Sequence, residues 1–270
     1  MLKLLAGTTA LGINILSCFR PKHFSMLRIV TLNLNYYVEK HGSWANRKKL
    51  IVDLLKETNP HIVAFQAVGK KPAGIDQALE ICKELEGFQS HFFSPSQTDG
   101  DITQGLAIIS KFPMHTKSVY PLTLLEGKND TNKRVFMKVT FERPEGKFDF
   151  YNGHFSWVEE QSVLNVNEAL TIMKEGSVQK IVAGDFNLPP DSVSFRSWID
   201  AGLTDAWQHT NPDKEGYTFE SDKPFTRINY FWLSPMMLKE VNKVEILHAS
   251  NGNTRLSNHF GLLLELNIKF

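Results

Sequence analysis

The 270 residues predict a layered α/β fold built as one domain. Three observations carry that reading. Short apolar runs bounded by Gly, Pro, Asn or Asp alternate with segments whose apolar residues recur every three or four positions, as strands interleaved with amphipathic helices do. Residues 27–33, a helical segment starting near Ser43 and residues 61–68 make a strand–helix–strand opening. Apolar residues form 42% of the chain, enough for one sizeable core, and no Pro/Gly/Ser-rich linker, low-complexity tract or plain repeat divides it.

The elements follow in order. Residues 27–33 (LRIVTLN) read as a buried strand with Asn33 near its end. Ser43 is the expected N-cap of a helix whose Trp44, Leu50, Ile51, Leu54 and Leu55 share one face, and Asn59-Pro60 stops it. The run 61–68 (HIVAFQAV) is the next buried strand. A helix is expected over 74–86, holding Cys82 as a small core residue and giving way near Gly87. Residues 105–111 read as a strand broken by Phe112-Pro113, and the alternation of 134–141 predicts a half-buried one. After a Pro/Gly turn at 144–146, the strand that begins at 148 ends in Tyr151-Asn152-Gly153-His154. A helix over 161–174 precedes the apolar strand 180–183, which stops at Gly184-Asp185-Phe186-Asn187. A short helix over 194–200 follows Pro189-Pro190, and Tyr217-Thr218-Phe219 leads into a strand starting near Arg227. Phe92, Phe93, Trp157 and Phe225 fall near loops, where aromatics pack underneath or, beside a phosphate site, offer a face to a base or lipid.

The chemistry gathers where these strands end. Asp185 and Asn187 stand two residues apart, so in an extended chain they point the same way. A carboxylate beside a carboxamide can orient a water and hold a phosphate or metal-bound oxygen. Asn33, Gln66-Ala67, Asn152-Gly153-His154, Arg227-Ile228-Asn229-Tyr230 and Ser257-Asn258-His259 surround it in sequence order. This ordered series resembles the endonuclease/exonuclease/phosphatase superfamily, metal-dependent phosphoesterases that include DNase I-like nucleases, inositol-phosphate phosphatases and sphingomyelinases. The resemblance spans 27–270 and implies a four-layer α/β sandwich, with two mixed β-sheets face to face and helices outside. It also implies a magnesium cofactor and a phosphate-containing substrate or ligand. Residues 1–26 stand apart as an N-terminal extension.

The departures matter as much as the match. The resemblance implies Glu after Gln66, as the main magnesium ligand, where this chain has Ala67. It implies Asp at Asn229 and at Asn258. The metal positions Asn33, Ala67 and Asn258 therefore carry no charge, and Asp185 is the matched carboxylate that remains. Among the implied catalytic residues, His154 and His259 reach the phosphate, Asp185 positions the attacking water, Asn187 fits the pattern beside it, and Asn229 stands where an Asp would pair with His259. Arg134 matches a position where arginine helps neutralise phosphate, or else it forms a surface ladder pair. Magnesium sheds its water reluctantly and usually needs one or two carboxylates, so tight metal binding is not expected.

Composition narrows the remainder. The net charge is +1, and Arg47-Lys48-Lys49 and Lys70-Lys71 read as solvated faces, so charge does not point to nucleic acid. Two cysteines, Cys18 and Cys82, form no disulfide framework and no metal-type spacing. Residues 1–17 carry one charge, Lys3, before an apolar stretch that resembles a weak signal peptide, and 15–18 (ILSC) resemble a lipoprotein cleavage site. The alternatives are export or a cytoplasmic extension with Met26 as a start. The stretch is too short and broken for a membrane span, and a monomer is expected. Two classes of function stay open: a metal-dependent phosphodiesterase or phosphatase with a weakened site, or a pseudoenzyme that binds a phosphate ligand. Two of the three changes are near-isosteric Asp-to-Asn replacements, a pattern that inactivating design and drift both produce.

Overall fold

The computed structural model describes residues 26–144 and 146–268, so the expectations on 1–25, Cys18 included, lie outside the described residues. The chain opens with β1 (Leu27–Asn33), α1 (Trp44–Thr58), β2 (Ile62–Lys70), α2 (Gln77–Cys82), β3 (Ser90–Asp99) and β4 (Ile102–Ser110). Next come β5 (Thr116–Leu122), β6 (Arg134–Arg143), β7 (Gly146–His154), α3 (Glu159–Met173), β8 (Lys180–Asp185) and α4 (Val193–Asp200). The C-terminal part adds β9 (Thr204–Asp205), α5 (Ala206–Thr210), β10 (Asn229–Leu233), α6 (Pro235–Leu238), β11 (Val241–Leu247), β12 (Ser250–Asn251), β13 (Thr254–Arg255) and β14 (Gly261–Leu266).

Two six-stranded mixed sheets result, ordered β11-β14-β1-β2-β4-β3 and β5-β6-β7-β8-β10-β9. Alternation along the strands explains why the runs are apolar on both faces. Ile29, Ile62 and Ala64 point between the sheets, where Phe150, Ile181 and Phe231 meet them. Their neighbours Val30, Val63 and Phe65 point outward, under Ile51 and Leu55 of α1 and Ile81 of α2. On the far side Val182 and Trp232 pack under Val166 of α3 and Trp198 of α4. Helices, sheet, sheet, helices: the expected four layers are present. Each sheet has a parallel strand–helix–strand pair, β1-α1-β2 and β7-α3-β8. Among the described residues no helix is long and apolar enough to cross a membrane.

Several local expectations change. Ser43 does cap α1, accepting from the Asn46 amide. The helix expected over 74–86 contracts to α2, which Asp76 caps by accepting from Leu79 N. Cys82 is a buried free thiol, as expected. Phe92 and Phe93 lie in β3, an edge strand, and pack against the two sides of their sheet. Pro95 hid this strand: it sits at a register shift on an edge, where a missing amide costs little. Pro121 hid β5 in the same way at the edge of the other sheet.

Arg47 corrects the reading of 47–49 as a solvated face. It is buried, and its guanidinium donates to the carbonyls of Leu34, Tyr36, Val38 and Leu256. Burial lowers its pKa to about 10, and it remains a cation. Its position four residues before Ile51 and eight before Leu55 places it on the core face of α1. Through it the helix grips the loop that follows β1.

Candidate functional site

Strand register assembles the site. Parallel β7 and β8 set His154 opposite Asp185, and antiparallel β10 sets Asn229 on the other side of Asp185. In the facing sheet, β1 and β2 pair Asn33 with Gln66. Two parallel pairs thus bring their carboxyl ends to one mouth, the usual location of sites in such sheets. The 257–259 segment is tied to the 218–221 turn, since Ser221 N donates to Asn258 O (2.9 Å) and Ser221 Oγ to Ser257 O (2.7 Å). An open pocket of about 250 Å³ results, lined by Asn33, Ala67, His154, Asp185, Asn187, Asn258 and His259 among others. Asn229 is buried beneath it.

Asp185 is fully buried and sits at the centre of these contacts. Its Oδ2 accepts from Asn33 Nδ2 (2.7 Å), and its Oδ1 from the Asn187 amide N–H (2.9 Å). His154 Nε2 and His259 Nε2 lie 3.5 and 3.6 Å from Oδ2. His259 Nδ1 is 3.0 Å from Asn229 Oδ1. An amide oxygen can only accept, so Nδ1 carries the proton and Nε2 presents a lone pair toward Asp185. Two lone-pair atoms 3.6 Å apart share no proton, so both stay open to a donor arriving from the pocket side. Asn229 Nδ2 is buried without a partner.

Charge in the pocket is sparse. Burial, with Arg134 nearby, pushes the His154 pKa down to about 3, and burial lowers His259 as well. Both imidazoles are therefore neutral at pH 7. Arg134 is a buried guanidinium facing the pocket, paired to Asp130 at 2.8 Å, and not a surface ladder residue. Burial alone would raise the Asp130 carboxyl, but Arg134 and the hydrogen bond from Ser156 hold it below the usual range. Tyr36 also lines the pocket, with its pKa pushed up to about 12 by burial.

One expectation about orientation fails. β8 ends at Asp185, and Asn187 has a left-handed φ of 57°, so alternation no longer governs it. Asn187 turns its amide to Phe155 O (2.9 Å) while its backbone N–H caps Asp185. Gln66 lies between the sheets and donates to Asn152 Oδ1 (2.7 Å) and Thr31 Oγ1 (3.0 Å). Asn152 in turn donates to Phe65 O and Ala107 O, so it locks the two sheets together under the pocket. Sequence reasoning gave Asn152 no role; its signal was an amide inside an otherwise apolar strand. Ala67 sits at a bulge in β2 with φ 47° and lines the pocket.

A second polar group lies outside the pocket lining. Among the described residues, His41, Glu220 and Asp222 are the His/Cys/Asp/Glu group with ligand atoms within 4.8 Å of one another. Lys40 pairs with Glu220, and Arg255 with Asp222 at 2.8 Å, so the carboxylates are already matched by cations.

The buried imidazoles make stability pH-dependent. His61 adds a third, lowered to about 4 mainly by burial, with its Nδ1 accepting from Arg28 N (3.1 Å). Each folded-state pKa lies below the ordinary 6.5, so on acidification the unfolded chain takes up protons first. Stability is therefore full above about pH 6.5 and falls as pH drops toward 4. Urea midpoints at pH 7, 6, 5 and 4 should decline steadily. His61→Asn, which keeps an acceptor near Nδ1, should flatten the slope by up to one proton, ~1.4 kcal/mol per pH unit. An unaltered slope in that variant would refute the assignment.

Comparisons agree with this architecture. The model of the Endonuclease/Exonuclease/phosphatase family matches residues 30–259. An endonuclease/exonuclease/phosphatase from Bacteroides vulgatus is 19% identical, with TM-score 0.75 over 90% of this chain and 98% of that one. The mannosyl-6-phosphatase Bt3783 of Bacteroides thetaiotaomicron is 17% identical, with TM-score 0.68 over 89% and 99%. D. rerio TDP2, complexed with single-strand DNA product, is 16% identical, with TM-score 0.69 over 90% and 100%. No curated protein matches the chain.

Proposed function

The chain belongs to the Endonuclease/Exonuclease/phosphatase family, and from that premise we propose that its pocket binds a phosphate-bearing ligand while divalent-metal phosphoester hydrolysis is strongly impaired. The observation that carries the proposal is the isolation of Asp185. It faces Ala67, Asn229 and Asn258 where the resemblance implies three carboxylates. Its two oxygens already accept from Asn33 and Asn187.

The donors present do not fit magnesium. Ala67 offers no oxygen. Asn33 Oδ1 accepts from Asn35 N (2.8 Å), and Asn258 Oδ1 from Ser257 Oγ (3.1 Å). One carboxylate and two engaged amides make a poor replacement for an ion's water shell. At about 4 Å and an effective dielectric near 20, each missing charge removes roughly 4 kcal/mol of attraction per unit of cation charge. Part of that returns, since those carboxylates need no longer be desolvated.

An anion gains from the same losses. Three fewer negative charges face it, Arg134 supplies a fixed cation, and Asn258 supplies an amide. A protonated phosphate oxygen arriving from the pocket side is a donor that suits His259 Nε2 and Asp185. Residues 27–270 form the domain in this reading.

Calorimetric titration with Mg²⁺ and Mn²⁺, an assay on a generic phosphodiester, and an orthophosphate titration in chelator test the proposal together. Metal should give no heat in the micromolar range, hydrolysis should stay at the blank, and orthophosphate should bind. Micromolar metal affinity with ordinary turnover would overturn it.

A further inference from the structure

Trp157 is 48% exposed, yet it lines the pocket. Its backbone cannot tuck it away. Ser156, before it, is buried, bonded to Asp130, and accepts from Val158 N (3.1 Å). Val158, after it, accepts from Ser162 N (2.8 Å) to start α3. The indole is thus held at the rim with no ring partner among the described residues. Across the same pocket, Phe219 packs 4.9 Å from His259, and outside the lining Phe225, 63% exposed, meets Phe219 edge-on at 5.7 Å. The same pocket is also lined by the carboxamides of Asn35, Asn132 and Asn258.

Resting on the phosphate-pocket reading above, we propose that the group esterified to the phosphate is a planar ring, an aryl or nucleobase-bearing substituent, stacked on Trp157. An aromatic face left bare beside a polar floor suits a ligand with one charged end and one flat apolar end. Base-on-aromatic stacking is strong enough to measure and tolerant of which ring is offered. A membrane fits the rim less well, because the lining includes the carboxamides of Asn35, Asn132 and Asn258, and Arg134 is its one Lys or Arg among the described residues.

The test compares orthophosphate, glycerol 3-phosphate, a hexose 6-phosphate, phenyl phosphate and a nucleoside 5′-monophosphate by calorimetry in chelator. Phenyl phosphate and the nucleotide should bind roughly tenfold more tightly than glycerol 3-phosphate. Trp157→Ala should abolish that advantage while leaving orthophosphate affinity unchanged, and Trp157→Phe should keep most of it. Equal affinity for ring and non-ring esters, an advantage that survives Trp157→Ala, or a hexose phosphate bound as tightly as phenyl phosphate would overturn the planar-ring proposal. If ring compounds bind but orthophosphate neither binds nor competes, the phosphate reading falls and stacking stands. No binding by any of them at millimolar concentration overturns both, and anionic vesicles that pelleted the protein through Trp157 would replace the ring with a lipid surface.

Discussion

The triple variant Ala67→Glu, Asn229→Asp, Asn258→Asp is expected to bind Mn²⁺ or Mg²⁺ and to hydrolyse a generic phosphodiester at least ~10³-fold faster than the native chain. Two independent losses are reversed. At position 229 a carboxylate would hold the His259 imidazolium, whereas the amide present only accepts from Nδ1 at 3.0 Å. The corresponding Asp-to-Asn change in a serine-protease triad costs about 10⁴-fold. At positions 67 and 258 the variant adds two charged oxygens beside Asp185, each attracting a divalent ion through the Coulomb energy now missing. The backbone tolerates the change. Ala67 already adopts φ 47°, so Glu inherits a conformation the bulge imposes rather than creating a strained one. Asn229 Nδ2 has no partner to lose. Single variants should recover far less than the triple, because residues sharing one ligand couple strongly. Calorimetry and turnover separate the outcomes. Restored metal binding without turnover would place a further defect in the substrate loops. A native chain already as active as the triple variant would refute the impairment.

What the sequence showed follows from where polar residues break apolar runs. Asn33, His154 and Asp185 each end a strand buried on both faces, and a polar residue there has little place except a shared mouth. The gathering of these strand ends around one pocket was therefore legible in the sequence. The edges of the sheets were not, because β3 and β5 are half-solvated and carry Pro95 and Pro121, which erase the strand signal. Nor was the role of Arg47: a cation in a basic triplet reads as surface unless its spacing from Ile51 and Leu55 is weighed. Asn187 departs from the expected direction because strand alternation does not carry two residues past Asp185 into a left-handed turn. Trp157 and Phe225 were distinguishable from Phe92 and Phe93 only by fold, since all four sit among similar neighbours in sequence.

Gly184, the residue before the strand-end Asp185, bears the next largest effect. Gly184→Ala should lower stability by roughly 3–5 kcal/mol and the thermal midpoint by about 10 °C. In the β7–β8 register Gly184 lies opposite Gly153, and a Cβ on Gly184 would stand 2.0 Å from Gly153 O and 2.9 Å from its carbonyl carbon. Its φ of 152° adds a conformational cost that a side chain rarely meets. The clash cannot relax outward. β8 is also bonded on its other edge to β10, with Gly184 opposite Tyr230, so β7 and β8 must separate. That separation would move His154 away from Asp185, now 3.5 Å apart, and loosen the bond from Phe155 N to Asp185 O. Orthophosphate binding should therefore disappear along with stability, even in the fraction that folds. Gly202→Ala is the matched control: φ is 81° but nothing lies within 4 Å, so the cost should be about 1 kcal/mol with ligand binding intact. Equal losses in the two variants, read from urea denaturation and calorimetry, would show that backbone conformation and not the close approach of β7 and β8 sets the requirement for glycine. A larger loss at Gly184, accompanied by loss of binding, would tie the first residue of the Gly184-Asp185-Phe186-Asn187 turn directly to the geometry of the pocket.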